Sequence, residues 1–502
     1  MPDATVTAGR GVIYIAFAKA YFMVAGYVIQ FVLPRLLKSD VLWGHYQLVV
    51  RLVSVIDNVI ITGTIQGVSK YTAQDDSKEH AEGVKLAGLK VQIVLGGGIA
   101  LAYVLLAPWI AGWQGQPGLT NLYRLSAGIM LCYAFYAIFV GSLNGLKRFG
   151  RQASLDMTFA TLRAILILGC AAAGLGVVGA ISGFVGAALL ILVTSVAVVG
   201  PPRKPRPFAT RPLWGYLPPI LLYTLSLNLI MTVDLVFMPR FAGELSGVVD
   251  AAARAKVASA FAGYYGTAQL LAFIPYQAII AVAFVIFPLV SRSTFEDDLA
   301  TTQGYIRSTL RLSLVFVAGV AVVFMANPAA VINVVFPSQF RIGGPALRVL
   351  AGGMICFSVF AIINTILNSA GHTWLALVAG VVTLGLTAGS NALFVPRAGT
   401  PEQALRVAAL ASSGSMAAGA LLSTLLLFHK FRAGFSLPSV VRVGIAMAVV
   451  LVAGHFIPEV SKLVTFGECV LLLVAYYAVL ALLREFKPDD LARFKRVLSR
   501  KK

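Results

Sequence analysis

Charge inside an apolar helix is the first chemistry this sequence offers. The run YQLVVRLVSVIDNVIITG (46–63) is long and apolar enough to span a bilayer, yet it holds Arg51 and Asp57. Each costs roughly 2.5–3.5 kcal/mol at the centre of a membrane helix, so such groups face a protein interior or a water-filled cavity. An arginine placed there can grip an anion through two parallel hydrogen bonds. An aspartate placed there can carry a proton or a small cation. Gln47, Arg51, Ser54, Asn58 and Thr62 step by 4, 3, 4 and 4 and so line one helix face. Asp57 lies about 120° away around that helix and does not neutralise Arg51 along it. Arg51 therefore takes its anion from elsewhere. That anion is an acid on a neighbouring helix, such as Asp156 or Asp234, or a ligand in a cationic lumen. A third option is that the side chain snorkels to the interface.

Other embedded charges pose the same choice. Lys19 shares a face with Met23, Gly26 and Gln30 and is a second cation. Arg163 follows Asp156 by one seven-residue step, which reads as a structural bridge or as a further lumen cation. Asp234 sits near the outer end of its span. It reads as an interfacial acid close to Arg240, or as a proton or Na⁺ site for coupling, with Asp57 in reserve. No HExxH and no CxxC occur, and Cys132, Cys170, Cys356 and Cys469 all lie in apolar runs, so neither a metal, a cofactor nor a disulfide framework is indicated. GLGVVG (174–179) fits a dinucleotide fingerprint only between a strand and a helix. Here it falls between two spans and reads as a tight turn, with Gly179 and Gly183 allowing close helix packing.

The elements that hold these residues are membrane helices. Of 502 residues 59% are hydrophobic and 12% charged, far from a water-soluble composition. The N-terminal MPDATVTAGR runs straight into a full-length span and does not read as a cleavable signal. A window of about 19 residues finds fourteen spans, from 11–33 to 464–484, with Pro218–Pro219 and Pro275 expected to weaken the seventh (213–239) and eighth (257–289). Basic residues collect in alternate loops: Lys70, Lys78 and Lys85; Lys147, Arg148 and Arg151; Arg203, Lys204, Arg206 and Arg211; Lys430 and Arg432; and the tail. The net charge of +20 is thus the signature of cytoplasmic loops facing anionic lipid, with both termini inside, and not of a nucleic-acid-binding stripe. The loop 240–256, with Arg240, Arg254 and Lys256, breaks this rule, and so does 369–373, which has no Lys or Arg. No loop is long enough to hold a large external active site.

The chain also repeats. FVLPRLL (31–37) matches VFMPRFA (236–242), VSK (68–70) matches VSR (290–292), and SLNG (142–145) matches ILNS (366–369), in order and at equivalent span ends. Both copies start on one side, so the repeat is parallel, about an axis along the membrane normal. The implied organisation is an N-lobe (1–200, six spans), a basic cytoplasmic linker (201–212) and a C-lobe (213–428, six spans). Two extra spans (429–485) and a basic tail (486–502) complete it. This is an all-α polytopic membrane protein of fourteen transmembrane helices, with two pseudo-symmetric six-helix lobes.

Specific stretches resemble a known family. VGSLNGLKRFGRQASLDMTFATLRAILIL (140–168), SLNLIMTVDLVFMPRFAG (226–243) and QLLAFIPYQAIIAVAFVIFPLVSRS (269–293) are similar to the polysaccharide transporter branch of the multidrug/oligosaccharidyl-lipid/polysaccharide exporter superfamily. The arginine-rich first span of its lipid II flippase branch is not evident in GVIYIAFAKAYFMVAGYVIQF. The resemblance implies a bacterial inner-membrane flippase, not an enzyme, that turns an undecaprenyl-pyrophosphate-linked oligosaccharide outward by alternating access for O-antigen or exopolysaccharide synthesis. Coupling to H⁺ or Na⁺ and partnership with polymerase or export machinery belong to the same expectation. On that reading Lys19, Arg51, Gln47, Ser54, Asn58 and Arg163 line the substrate path, and Asp234 or Asp57 couples the ion. A multidrug/cation antiporter would favour acidic lumen residues. A membrane glycosyltransferase or glycan polymerase would need an acidic metal motif or a large outer loop. A non-transporting assembly protein is the remaining alternative.

Overall fold

The computed structural model describes residues 4–75, 77–277, 298–457 and 461–486, together with Ile279, Ile286, Val290, Ser291, Ser293 and Thr294. The described residues are helical, with no strand among them. Most of the second half of the expected eighth span, Arg292 of the VSR match and the tail beyond Phe486 lie outside the described residues. Twelve described stretches are long and apolar enough to cross a membrane, and one of them, Phe149–Val199, contains two helices. The chain is therefore a multi-pass helical membrane protein, because only helices and closed barrels satisfy every backbone group in lipid.

One compact unit comprises Met1–Gly266 with Pro396–Ala404. Its helices are α1 (Ala4–Leu37), α2 (Asp40–Thr72), α3 (Lys78–Trp113), α4 (Thr120–Gly145), α5 (Phe149–Cys170), α6 (Gly176–Val199), α7 (Arg211–Ile230), α8 (Val233–Leu245) and most of α9 (Ala251–Ala272). α4 packs against α2, α3 and α6, and α1 lies along α5. Between α5 and α6 the GLGVVG segment is the expected turn: Gly174 (φ 82°) and Gly176 (φ 57°) adopt backbone angles that other residues avoid. Gly183 then brings α6 onto α5, with room for no side chain, since a Cβ would lie 2.4 Å from the Leu166 carbonyl oxygen.

α7 belongs to this unit for two reasons. Leu213 and Leu217 bury themselves against Ala87 and Val91 of α3. The basic linker is also laced to the start of α3. Glu82 accepts from the amides of Arg203 (3.1 Å) and Lys204 (2.6 Å), Lys85 donates to the Gly200 carbonyl (2.9 Å), and the Arg206 amide donates to the Glu79 carbonyl (2.9 Å). Asp75, held below the usual carboxylate range by hydrogen bonds from Ser77, also meets Arg206 at 3.5 Å. α7 runs unbroken through Pro218 and Pro219. The break comes later, at Met231–Thr232, where α8 begins. The interruption expected at Pro275 is found at Phe273, two residues before the proline, whose ring cannot follow an unbroken helix.

The other unit comprises Thr267–Val395 with Leu405–Lys502. It contains α10 (Leu299–Ala326), the short α11 (Pro328–Val335), α12 (Gly344–Ser369), α13 (Thr373–Phe394), all but the first turn of α14 (Pro401–Phe431), α15 (Leu437–His455) and α16 (Lys462–Leu482). Phe336 with Phe340 and Phe357 with Phe360 form two fully buried aromatic pairs. α15 and α16 close over α10 through Val443, Val450, Leu472 and Tyr476. Beyond α16, Glu485 is buried between Arg442 (3.0 Å) and Arg311 (3.9 Å) and fastens the chain end to α15 and α10.

Candidate functional site

The polar face of α2 looks onto three neighbours. Gln47 is buried and donates to Gln30 of α1 at 3.3 Å. Asn58 is exposed and donates to Asn228 of α7 at 3.2 Å. Arg51 stands within electrostatic reach of Asp234 on α8 and Tyr27 on α1, and Ser54 and Thr62 are half-buried on the same face. Asp57 points elsewhere, as the helical angle requires, toward Tyr103 of α3 and Cys132 and Tyr133 of α4. It is 3% exposed, and neither of its oxygens has a hydrogen-bond partner among the described residues.

Asp234 is 1% exposed in the first turn of α8. Tyr265 of α9 donates to it at 2.7 Å, and the Leu235 amide donates at 2.8 Å. It is not the interfacial partner of Arg240. That guanidinium is taken by Glu244 at 3.2 Å and by the Trp113 ring at 5.3 Å. The break at Met231–Thr232 is the physical reason: it buries the first turn of α8 while Arg240, nearly two turns on, reaches the helix end.

Lys19 pairs with Asp156 at 3.2 Å, and Tyr136 donates to the same carboxylate at 3.3 Å. The expected bridge between Asp156 and Arg163 does not form, because Lys19 across the α1–α5 contact holds the acid. Arg163 instead sits over the rings of Phe22 (4.7 Å), Phe184 (5.6 Å) and Phe159 (5.9 Å). Lys19 and Arg51 do not stand side by side. Counted from the α1–α2 turn their depths differ by seven residues, about 10 Å at the rise of an α-helix.

The sequence profile of the polysaccharide biosynthesis protein family matches residues 8–294, more than half of the chain. The chain belongs to that family. No curated protein matches it. Among solved structures, the lipid II flippase MurJ in an inward closed conformation superposes with a TM-score of 0.66 at 13% identity, covering 91% of this chain and 98% of that one. A multidrug resistance MATE transporter of the MOP superfamily, inward-facing, gives 0.60 at 16% identity over 80% and 94%. A MOP superfamily transporter from Pyrococcus furiosus, described as having a binding pocket of reversed polarity, gives 0.60 at 14% identity over 84% and 95%. These likenesses establish the fold, which is that of flippases and transporters.

Lys19, Arg51, Asp57, Asp156, Arg163 and Asp234 all lie inside the stretch that the polysaccharide biosynthesis family profile covers. The acids were legible there as candidate partners, but not which cation each one holds. Tyr133, Tyr136 and Tyr265 lie in apolar runs where no spacing singles them out. Lys85, counted among the loop cations, is buried, and so is Glu82.

Proposed function

We propose that this protein flips an undecaprenyl-pyrophosphate-linked oligosaccharide from the inner to the outer leaflet of the bacterial inner membrane, supplying O-antigen or exopolysaccharide synthesis. The observation that carries this reading is the family match over 8–294, the stretch that also holds Lys19, Arg51 and Arg163. A pyrophosphate must leave water to cross, and cations on membrane helices offset that cost. The sugars follow the polar path past Gln47, Ser54 and Asn58 while the polyprenyl chain stays in lipid. Fourteen helices arranged as two six-helix lobes plus two would rock about the path in alternating access. Asp234 or Asp57 serves as the site for a coupling H⁺ or Na⁺. Anionic lipids hold the basic cytoplasmic loops, and a polymerase receives the product.

Deleting the gene tests this reading. Surface polysaccharide should be lost and its lipid-linked precursor should accumulate on the cytoplasmic leaflet. Unchanged polysaccharide with a new sensitivity to cationic drugs would instead assign the protein to multidrug export.

A further inference from the structure

A cavity of about 250 Å³ opens where the end of α3, the last turns of α8 and the start of α9 meet. Trp113 of α3, Arg240 and Glu244 of α8 and Arg254 of α9 line it, and all four belong to the first unit. Its walls are held from several sides. Buried Gln116, just past α3, donates to the Ala255 carbonyl of α9 at 2.7 Å. Trp113 packs on Phe237 of α8 at 5.2 Å and carries the Arg240 guanidinium at 5.3 Å. Gly243 lets Arg254 lie along α8, since a Cβ there would stand 3.4 Å from Arg254 Cγ. Gly112 keeps the α3 side open, with no atom within 4 Å of where its Cβ would be.

Donors in this cavity outnumber acceptors. A guanidinium has five N–H groups. Among the described residues, Arg240 spends one on Glu244, and Arg254 spends two on the carbonyls of Val248 and Val249. Two guanidiniums against one carboxylate also leave the lining cationic. Its place in the fold sharpens the point. Glu82, which holds the basic linker, lies in the first turns of α3, and Trp113 ends that helix. α3 has 36 residues, about 54 Å at the rise of an α-helix, against roughly 30 Å for the hydrocarbon core of a bilayer. Linker and cavity therefore lie on opposite sides of the membrane. With the linker in the cytoplasm the cavity opens outward, on the side where loop cations are disfavoured.

We propose that this cavity receives a carboxylate-bearing sugar, such as a hexuronate, as the glycan emerges on the outer side. The proposal rests on the flippase reading for the source of the sugar, and it narrows the cargo to an acidic glycan. A planar carboxylate takes two parallel hydrogen bonds from a guanidinium, and the uncommitted Nη groups of Arg240 and Arg254 can supply them. Glu244 has one oxygen on Arg240 and the other for ring hydroxyls. A bare phosphate has no such hydroxyls to offer, and the Glu244 charge opposes it. A neutral sugar would satisfy Glu244 and leave both guanidiniums unanswered. The volume lies just below that of a drug-sized pocket and suits a single ring.

The test uses the full chain in phosphatidylcholine nanodiscs. Glucuronate, glucose and glycerol 3-phosphate are the probes, and titration by saturation-transfer NMR is the readout. Glucuronate should bind at least tenfold more tightly than either of the others. Arg240→Gln and Arg254→Gln should each weaken it at least tenfold. Arg254→Gln also removes loop hydrogen bonds, so Gly112→Phe supplies an independent check. It fills the cavity with both arginines in place, and should abolish binding without lowering the thermal midpoint. Glucuronate binding that survives Gly112→Phe, or glucose bound as well as glucuronate, overturns the site. Glycerol 3-phosphate bound as tightly as glucuronate makes it a lipid-headgroup site and overturns the sugar assignment. None of these results touches the flippase reading, which gene deletion decides separately. A surface polysaccharide that is lost on deletion but contains no acidic sugar keeps the flippase and overturns the acidic cargo. Polysaccharide unchanged on deletion sinks the flippase reading and removes the source of the sugar with it.

Discussion

Arg51 and Asp234 are the residues at which structure and function make opposite forecasts. Asp234 is fully buried, with Tyr265 as its side-chain donor and Arg51 as the cation in electrostatic reach. Removing one partner of a buried ion pair costs about 3–5 kcal/mol, because the other charge is left uncompensated. If the pair is structural, Arg51→Ala should deplete folded protein from the membrane, and adding Asp234→Asn should restore most of it. If Arg51 serves the substrate, Arg51→Ala should remain abundant while glycan export collapses. Arg51→Lys would then keep only part of the export, since an ammonium lacks the fork that grips phosphate. Membrane abundance and export measured on the same strains decide between them. The stripe on α2 was legible because a period of 3.6 can be read along a single helix. The partners were legible only as a choice among Asp57, Asp156 and Asp234; Lys19 takes Asp156 and Arg51 has Asp234 in electrostatic reach, on helices more than a hundred residues apart, and no local pattern makes that selection.

At the scale of elements, the segments SLNG and ILNS end their helices in the same way, with a cap that also closes α3 and α16. After α4 the amides of Leu146, Lys147 and Arg148 donate to Ser142, Asn144 and Leu143. After α12 those of Ala370, Gly371 and His372 donate to Ile366, Asn368 and Leu367. The two caps are the same motif at a constant sequence offset. Its left-handed position is Lys147 (φ 56°) in one copy and Gly371 (φ 83°) in the other. Glycine is the usual choice for such a cap. Lysine accepts the strain and puts a cation at the negative helix end. One close helix contact, by contrast, had no sequence signal. Gly44 of α2 meets Ser259 of α9 so tightly that a Cβ would lie 1.8 Å from the Ser259 carbonyl oxygen, and Tyr264 of α9 donates to Asp40 of α2 beside it. Overpacking of this kind costs about 1–3 kcal/mol. Gly44→Ala should therefore lower the thermal midpoint of the purified protein. Gly97→Ala in α3, with no atom within 4 Å, should leave it unchanged or raise it, since alanine favours a helix interior by about 1 kcal/mol over glycine. Equal midpoints for the two variants would mean that the α2–α9 contact yields.

For the whole molecule the decisive unknown is direction, because a flippase read upside down would move its cargo inward. Orientation rests on the loop cations, and two loops dissent: 369–373 lacks Lys and Arg on the inside, and 240–256 is basic yet belongs on the outside by the helix count. The structure gives two cations of the latter local work. Arg240 is paired with Glu244 and stacked on Trp113, and Arg254 donates to the carbonyls of Val248 and Val249 at 3.0 Å each. The cations of the linker are arranged differently: the amides of Arg203 and Lys204 bind Glu82 while both residues remain exposed, where anionic lipid can meet their side chains. Single cysteines in a background lacking the four native ones turn this into a measurement. Gly118→Cys and Ala251→Cys should react with a membrane-impermeant maleimide in whole cells. Ala209→Cys, exposed in the linker, should react only after permeabilisation. Labelling of Ala251→Cys in step with Ala209→Cys would mean that the 240–256 loop is cytoplasmic and the helix count is wrong. Reversal of all three would keep the count and invert the transporter.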